Sequence, residues 1–515
     1  MTGTTTGATA LPKMRTKAQL SQRQGLAVGG GTLLAMIAAW LAGDQILLLF
    51  YLGIATPLRV LVGLAGTIWL AMLIRRGGAG IGAIPLTRLA ACLLVTLVVL
   101  LLGGEGRLFY ANIDWEVRDA VLRDMAVNPW PFAYLLNGAP TLLRAPIGMY
   151  FLPALAWKAW GATAGSATLV MQNTFLLGSL LALGSVLFET SRGRVLALLT
   201  ILAFGGLDIV GNIVTPQPLI DHLDGWSPGL QFSSTMTLAF WVPQHAFAGW
   251  IAGLLYMLYR RDRLQLGTFL AIVPLTALWS PLAMIGALPW AALAGIQSLM
   301  KRQLRTIDVL VPALATLLVI PGLAFLAAAG DNVGIRPYSM DPGLYILCLE
   351  IEVLPWAFAA IKLRSRSPFG TAAPILATAV MVVIPFVQIG WSIDFMMRGA
   401  IPSQTVLALI MADILARTTD WRARSWHWFI VAMLCIASVT GLHEIRRAIT
   451  FPAVGGGTCT FFKAWDQEFA IYPKGSYLAP EAKMPRWLVG QNLTLVPIKE
   501  PANCWDQHWI RPSGV

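Results

Sequence analysis

Long apolar runs separated by short basic clusters constrain this chain more than any other feature of its sequence. A helix needs roughly 17 to 25 apolar residues to cross a membrane, and about thirteen runs approach or reach that length. Hydrophobic residues make up 57% of the chain and charged residues 12%, which excludes an ordinary soluble domain. The sequence therefore predicts an all-α polytopic membrane protein. We place its spans at 26–43, 46–74, 85–104, 165–188, 194–212, 243–259, 265–279, 282–299, 306–328, 342–362, 371–391, 402–416 and 426–442.

The basic clusters between these runs predict the orientation of the chain. Lys and Arg favour the cytoplasmic side of membrane proteins. The loops assigned to the cytoplasm carry Arg75 and Arg76; Arg192 and Arg194; Arg260, Arg261 and Arg263; Lys301, Arg302 and Arg305; Lys362, Arg364 and Arg366; and Arg417, Arg422 and Arg424. Because the net charge of +12 is spread over these loops, it argues against a nucleic-acid partner.

This orientation divides the chain into three parts. Residues 1–25 are polar and have no cleavage pattern, so they are predicted to form a cytoplasmic tail. A transmembrane domain follows over 26–442, and residues 443–515 are expected to form a small extracytoplasmic cap, strand-containing or irregular. The expected location is a bacterial-type inner (plasma) membrane. Outer loops are predicted at 105–164, 213–242, 329–341 and 392–401.

The segment 146–161 is apolar but is predicted to lie along the outer face, or to dip into the membrane, without crossing it. If it crossed, the basic cluster at 192–194 would lie outside, against the charge rule. Its aromatic and basic residues Trp157, Lys158 and Trp160 are typical of an interfacial helix.

Cysteine placement agrees with an outer C-terminal cap. Cys459 and Cys504 are the only two cysteines after residue 443. An oxidising compartment would let them form a disulfide, and two buried free thiols are the alternative.

Carboxylates are concentrated in the first predicted outer loop. Asp114 and Glu116 follow the third apolar run, and Asp114 stands four residues before Arg118. On a helix that spacing forms a simple ion pair, so a solvated, salt-bridged helix is one interpretation. The other is acid–base chemistry at the membrane surface, favoured by the aromatic and proline-rich sequence that follows.

The second predicted outer loop is polar but carries no Lys or Arg between residues 215 and 250. Hydroxyls, amides, carboxylates and tryptophan rings are the groups that bind sugars. A metal site and a partly ordered loop are the alternatives, and the metal is the weaker because adjacent ligands diverge on a helix. The candidate substrate-binding residues are Asp221, His222, Asp224, Trp226, Gln244 and His245.

Two further signals involve ionisable residues at membrane depth, which are costly to leave without a partner. Arg398 is predicted at the outer membrane face, where it suits a phosphate group. An ion pair with Asp394 that only orders the turn is the alternative. Glu350 and Glu352 lie in or beside an apolar span and are expected to face the bundle interior or a polar cavity, as a proton pathway or as hydrogen-bonding groups between helices.

These features together resemble the GT-C superfamily of integral-membrane glycosyltransferases, which includes protein mannosyltransferases and lipid A aminoarabinose transferases. The resemblance lies in Asp114 with Glu116 after an early span, in the surface segment APIGMYFLPALAWKAWG, and in Arg398 within DFMMRGAIP. It implies a GT-C-like bundle, and transfer of a sugar from a polyprenyl-phosphate donor to a glycan, lipid or protein acceptor.

The resemblance also implies roles for individual residues. Asp114 is expected to be the general base, with Glu116 as second choice, and Arg398 to hold the lipid phosphate. Lesser phosphate-binding candidates are Arg107, Arg144 and Arg336. No metal is required, although some relatives use a divalent ion. The alternative function is a proton-coupled transporter or lipid flippase using Glu350 and Glu352.

Overall fold

The computed structural model describes residues 26–215, 222–328, 334–363, 368–390, 393–418, 425–453, 455, 457–500 and 504. Helices α1 to α20 are Gly30–Tyr51, Pro57–Gly77, Leu86–Leu102, Asp114–Val127, Phe151–Trp160, Ala162–Gly184, Ser191–Ala203, Asp208–Val214, Thr235–Trp241, Pro243–Arg260, Leu266–Leu275, Pro281–Met300, Ile307–Ala327, Pro342–Cys348, Leu354–Lys362, Ala372–Val383, Asp394–Gly399, Ile401–Ala416, Ser425–Thr450 and Phe461–Glu468. A π-helical turn, Leu349–Val353, joins α14 to α15. Strands β1 to β8 are Ala27–Gly29, Ala83–Pro85, Phe132–Leu136, Ala139–Leu143, Ile335–Pro337, Val387–Ile389, Leu478–Pro480 and Thr494–Val496.

The chain is a predominantly helical, multi-pass membrane protein. Within the described ranges, nine helical stretches are long and apolar enough to cross a membrane. They are Gly30–Tyr51, Pro57–Ile81, Ala162–Leu187, Ser191–Val214, Pro281–Met300, Ile307–Ala327, Pro342–Lys362, Asp394–Ala416 and Ser425–Thr450. The other four predicted spans correspond to α3, α10, α11 and α16, and their crossing stays a prediction.

The boundary between the first two spans differs from the predicted one at residues 44–45. Helix α1 continues to Tyr51, and Gly53 with its positive φ of 68° makes the turn into α2. The predicted spans 26–43 and 46–74 left a gap at Asp44, and a carboxylate is costly inside a membrane. Trp279 removes much of that cost, because its indole N–H donates to Asp44 at 2.8 Å.

The loop after α3 is folded. It contains α4, the hairpin of β3 and β4, and α5. Asn137 and Gly138 form the hairpin turn, and both have the positive φ that a two-residue turn requires. Helix α5 has ten residues and is therefore about 15 Å long, shorter than the membrane core, and that segment 146–161 does not cross stays a prediction.

The C-terminal segment, residues 451–500, joins this loop in one sheet with the order β7-β4-β3-β8. Helix α19 continues to Thr450, beyond the predicted boundary at residue 443, and Glu444 and Arg447 form a buried ion pair in this extension. Cys459 and Cys504 form a disulfide with their Cα atoms 4.9 Å apart. We call the end of the bundle that carries this sheet the loop face.

Asp124 of α4 ties the C-terminal segment to the loop. Its Oδ2 accepts the hydroxyl of Tyr134 at 2.6 Å and the backbone N–H of Phe461 at 2.9 Å. Arg123 donates to its other oxygen at 3.0 Å. One buried carboxylate therefore holds α4, β3 and the start of α20 together.

Helices α17 and α18 form the central stretch of the bundle. The stretch Asp394–Ala416 is 89% buried, the largest buried share among the nine candidate spans. Helix α18 packs against α7, α10 and α16. The stretch begins at the loop face with Asp394, and its fifth residue is Arg398, so this buried stretch carries the predicted phosphate ligand.

Candidate active site

The start of α4 is fixed against α9 by two residues that flank Asp114. Asn112 accepts the backbone N–H of Asp114 at 3.2 Å and donates its amide to the carbonyl of Phe240 at 2.9 Å. The indole N–H of Trp115 donates to the same carbonyl at 2.9 Å. The predicted base therefore stands at a helix start with a defined position.

Arg118 links Asp114 to α10. Its guanidinium donates to Oδ2 of Asp114 at 3.0 Å and makes a second, short hydrogen bond to Oε1 of Gln244. Arg118 is buried, whereas Asp114 is 21% exposed. Among the described residues, Oδ1 of Asp114 has no hydrogen-bond partner, so it is available to a ligand.

Tyr477 of the C-terminal segment lies within electrostatic range of both the predicted base and the predicted phosphate ligand. Burial raises the pKa of its phenol, the positive charges of Arg118 and Arg398 lower it, and the negative charges of Asp114 and Asp394 raise it. Because Coulomb interactions of this kind weaken with distance, all four charges lie near one side chain. Asp114 and Arg398 therefore lie at the same face of the bundle.

Arg398 makes the ion pair that the sequence left as an alternative. Its guanidinium lies 2.7 Å from the Asp394 carboxylate, and it is 18% exposed. A guanidinium has five N–H donors, so this contact leaves donors for a phosphate. His245, buried at the start of α10, interacts electrostatically with both Arg118 and Arg398.

Glu116 and Arg107 lie in a different environment from Asp114. Residues two apart on a helix point about 200° apart, so Glu116 leaves α4 on the opposite side. Arg107 forms an ion pair with Asp119, and burial lowers the pKa of Arg107 to about 10 against the opposing charges of Glu116 and Glu105. The second-choice base therefore belongs to a cluster with Arg107.

The other two arginine candidates contact protein groups. Arg144 donates its backbone N–H to the carbonyl of Tyr477 at 2.7 Å, and its side chain lies 3.4 Å from the carbonyl of Gly475. Burial lowers the pKa of Arg144 to about 10. Arg336 on β5 bonds to Gln388 of β6 at 3.0 Å. Arg144 thus positions Tyr477, whereas Arg336 belongs to a separate hairpin.

The candidate sugar-binding residues separate into two groups. Gln244 and His245 join the Asp114 site. Asp221 lies outside the described residues, and its neighbours contact the protein interior. The His222 ring packs on Trp241 with centroids 4.6 Å apart, and Asp224 accepts the backbone N–H of Ser234 at 3.2 Å.

Asp224 belongs to a buried cluster of three acids. Asp208 of α8 lies close to both Asp224 and Glu352 and interacts with them electrostatically. Glu352 accepts the indole N–H of Trp226 at 2.7 Å, and Asp208 accepts the hydroxyl of Thr440 at 2.7 Å. Trp226 is therefore a buried packing residue in this structure.

Glu350 differs from Glu352. The prediction had both acids facing the bundle interior, but the side chain of Glu350 is exposed and only Glu352 is buried. The π-helical turn that contains them widens the helix locally, and it directs the two side chains to different surroundings.

An apolar groove of about 370 Å³ runs beside the site. It follows α3 from Arg88 to Leu100, a rise of about 18 Å, and is otherwise lined by residues of α6, α7, α9, α10 and α18. Trp250 and Gln404 lie near its loop-face end. Trp250 follows Gln244 by six residues on α10, and Gln404 follows Arg398 by six residues through α17 and α18. Each step corresponds to a rise of about 9 Å.

Two members of the Asp114 site were missed by the sequence prediction. Arg118 was considered only as an ion-pair partner, although its spacing from Asp114 was visible. Tyr477 had no recognisable signal, because its position depends on the pairing of β7 with β4.

Among the described residues, no group of three or more His, Cys, Asp or Glu side chains has the arrangement of a metal site. No protein-family model, curated protein or solved structure matches this chain.

Proposed function

We propose that this protein is a GT-C-type membrane glycosyltransferase that transfers a sugar from a polyprenyl phosphate to a glycan, lipid or protein acceptor at the loop face. The observation that carries the proposal is the convergence of Asp114, Arg118 and Arg398 on Tyr477, next to the end of an apolar groove. Such a reaction needs a base for the acceptor hydroxyl, cations for the leaving phosphate and an apolar groove for the lipid. The loop face is the extracytoplasmic face in this proposal.

The chemistry follows from the charges. Asp114 Oδ1 accepts the proton of the acceptor hydroxyl as its oxygen attacks the anomeric carbon of the donor. The bond from that carbon to the phosphate oxygen breaks, and the lipid phosphate leaves with one more negative charge. Arg398 stabilises that charge, because a fixed cation in a water-poor site acts strongly on a developing anion.

The groove supports a lipid-linked donor. Its lining is mostly apolar and spans much of the bundle, which suits an isoprenoid chain. A chain in the groove would bring its phosphate to the loop-face end, about 9 Å along α17 and α18 from Arg398. Gln244, already bonded to Arg118, would then lie near the sugar.

Replacement of the base tests the proposal. Membranes containing the protein are supplied with polyprenyl-phosphate sugars, and the lipid-dependent appearance of glycosidic product is measured. Asp114→Asn keeps the side-chain shape but removes the base, so we expect the rate to fall about 10²- to 10⁴-fold. Asp466→Asn, a change of the exposed carboxylate that pairs with Lys474, is the control. Full activity of Asp114→Asn would rule out Asp114 as the base.

A proton-coupled transporter is the second candidate, and the Asp208, Asp224 and Glu352 cluster is the observation in its favour. Acids buried in a membrane protein commonly mark proton pathways. Proteoliposomes with an internal pH dye test this function. Proton flux that Glu352→Gln abolishes, without any glycosidic product, would favour transport over transfer.

A further inference from the structure

A second cavity, of about 260 Å³, lies on the loop face next to the Asp114 site and has charged and hydroxyl side chains in its wall. It is enclosed by the turn after α3, by α4, by α5 and by the first turns of α6. We call it the Glu105 cavity. Its lining residues are Gly104, Glu105, Gly106, Arg107, Trp115, Asp119, Leu122, Trp157, Ala162, Thr163, Ser166, Leu169 and Gly457.

Trp115 is the wall shared by this cavity and the Asp114 site. The guanidinium carbons of Arg107 and Arg118 both lie 5.8 Å from the centre of its ring. Arg107 lines the cavity, whereas Arg118 bonds to Asp114. The two spaces are therefore neighbours, divided by one indole whose N–H is fixed on α9.

Glu105 supplies the independent sign of a ligand. The residue is 2% exposed, and its Oε1 accepts the amide of Asn173 at 2.9 Å. Its Oε2 has no hydrogen-bond partner within the described residues, although it is buried in the cavity wall. A buried polar oxygen without a partner costs about 1 to 3 kcal/mol, which a bound hydroxyl would recover.

The lining groups indicate the chemistry of that ligand. Trp115 and Trp157 offer aromatic surface, while Thr163 and Ser166 offer hydroxyls. The charge of Arg107 is balanced locally by Asp119. The cavity therefore combines aromatic surface with hydrogen-bonding groups, and this ion pair leaves no unbalanced charge on Arg107 that would favour a phosphate. Its volume is below the roughly 300 to 1,000 Å³ of sites for drug-sized molecules.

We infer that the Glu105 cavity binds one neutral sugar ring of the acceptor, held between Trp115 and Trp157 and hydrogen-bonded to Glu105. This inference rests on the proposed glycosyltransferase function, which it deepens by naming a glycan or glycolipid as the acceptor class. The donor belongs elsewhere, because its lipid needs the apolar groove. That groove meets α6 at Leu177, about 12 Å along the helix from Leu169 of the cavity.

Direct binding is the first test. Methyl α-D-mannopyranoside and methyl β-D-galactopyranoside are added separately to the purified full-length protein in lipid nanodiscs, and binding is measured by saturation-transfer NMR. We expect at least one glycoside to bind, and Trp157→Ala to weaken that binding about tenfold. Trp157→Phe keeps an aromatic ring and is expected to restore most of it.

Trp160→Ala is the matched control. Trp160 lies on the same helix, is 79% exposed and does not line the cavity, so its replacement is expected to leave binding unchanged. Size-exclusion profiles and unfolding temperatures check that each variant is folded. Absence of binding for both glycosides, or equal binding by folded Trp157→Ala, overturns the inference.

Kinetics separate this inference from the proposed function. With a polyprenyl-phosphate sugar and a glycan acceptor, Trp157→Ala is expected to raise the acceptor KM about tenfold and to leave the donor KM unchanged. If Asp114→Asn abolishes transfer but Trp157→Ala changes neither KM, the function stands and the acceptor site is wrong. If neither variant affects transfer but Trp157→Ala still weakens glycoside binding, the sugar site stands without the proposed catalytic role.

Discussion

The molecule contains two groups of carboxylates that differ in their charge balance. Asp114 is partly exposed and bonded to a buried guanidinium, with a second guanidinium nearby on Arg398. Asp208, Asp224 and Glu352 are fully buried, and their interactions are with one another and with neutral donors. A carboxylate beside cations and open to a ligand can act on a substrate, whereas these three buried acids accept hydrogen bonds from Trp226, Ser234 and Thr440 and so connect separate helices.

The sequence made these two groups look alike, because each is a set of acids next to apolar runs. Burial and partners, which depend on tertiary contacts, distinguish them. This difference between the two carboxylate groups can be tested at four residues, taken from the largest expected effect to the smallest.

The largest effect is expected at Arg398. If this residue stabilises the leaving phosphate, Arg398→Ala should lower kcat about 10²- to 10³-fold. Arg398→Lys should retain part of the activity, because it keeps the charge but loses the bidentate geometry. The measurement is steady-state transfer from a polyprenyl-phosphate sugar. Asp394→Asn tests whether Arg398 stabilises the phosphate or only orders the turn through its ion pair. If the ion pair is purely structural, Asp394→Asn and Arg398→Ala should lose equal transfer activity.

The next effect concerns the assembly of the Asp114 site from separate parts of the chain. Asp124→Ala leaves the hydroxyl of Tyr134 and the backbone N–H of Phe461 buried without an acceptor, so we expect a loss of about 3 kcal/mol in unfolding free energy. Because Tyr477 lies in the segment held by this contact, transfer should fall as well. Asp124→Asn keeps one acceptor oxygen and should lose less.

Limited proteolysis measures the same effect locally. Cleavage in residues 461–500 should accelerate in Asp124→Ala and stay near the wild-type rate in Asp466→Asn. Unchanged protection of the C-terminal segment would show that the sheet alone holds it in place.

Much of the fold could be predicted from the sequence, because span lengths depend on composition alone. Each predicted span has a helical counterpart, and the ten-residue length of α5 agrees with the prediction that segment 146–161 does not cross. The break near Asp44 was misplaced because its partner, Trp279, is 235 residues away. The hairpin at Asn137 and Gly138 carried a standard turn signal that the prediction did not use.

The candidate site was less predictable. The i,i+4 spacing of Asp114 and Arg118 was readable, and so was the position of Arg398 between two apolar runs. Local sequence could not assign Trp226 to the interior, because its partner Glu352 comes from another helix. Tyr477 reaches the site through β7, a strand of only three residues, so no periodicity could reveal it.

The third effect is a pH dependence of the unfolding free energy caused by Glu105. Like the buried acids Glu105 is enclosed by protein, and like Asp114 it lies near cations. Burial raises the pKa of Glu105 to about 8, while the bond from Asn173 and the charges of Arg118 and Arg107 oppose the rise. The folded protein therefore keeps a proton that the unfolded chain releases. The unfolding free energy should fall with rising pH between about 4.5 and about 8, by at most about 1.4 kcal/mol per pH unit.

Glu105→Gln cannot titrate, so it should lack this part of the pH dependence. The measurement is the difference in unfolding free energy between wild type and Glu105→Gln across that range. A constant difference would mean that Glu105 is charged throughout. Asp119 lines the same cavity, and its ion pair with Arg107 makes it the group to check for a competing titration.

The smallest effect is expected at Glu352. In Glu352→Gln the side-chain oxygen still accepts the indole N–H of Trp226, and the new amide can donate to Asp208. The change also removes one acid from a cluster of like groups, so the unfolding free energy should stay within about 1 kcal/mol of wild type. Sugar transfer should change less than about threefold, because the cluster takes no part in the proposed reaction. Glu352→Ala is the contrast, because it leaves a buried indole donor without an acceptor and should cost about 1 to 3 kcal/mol. A large loss of transfer in folded Glu352→Gln would show that the three acids do act in the reaction, and that the difference between the two carboxylate groups does not separate chemistry from structure.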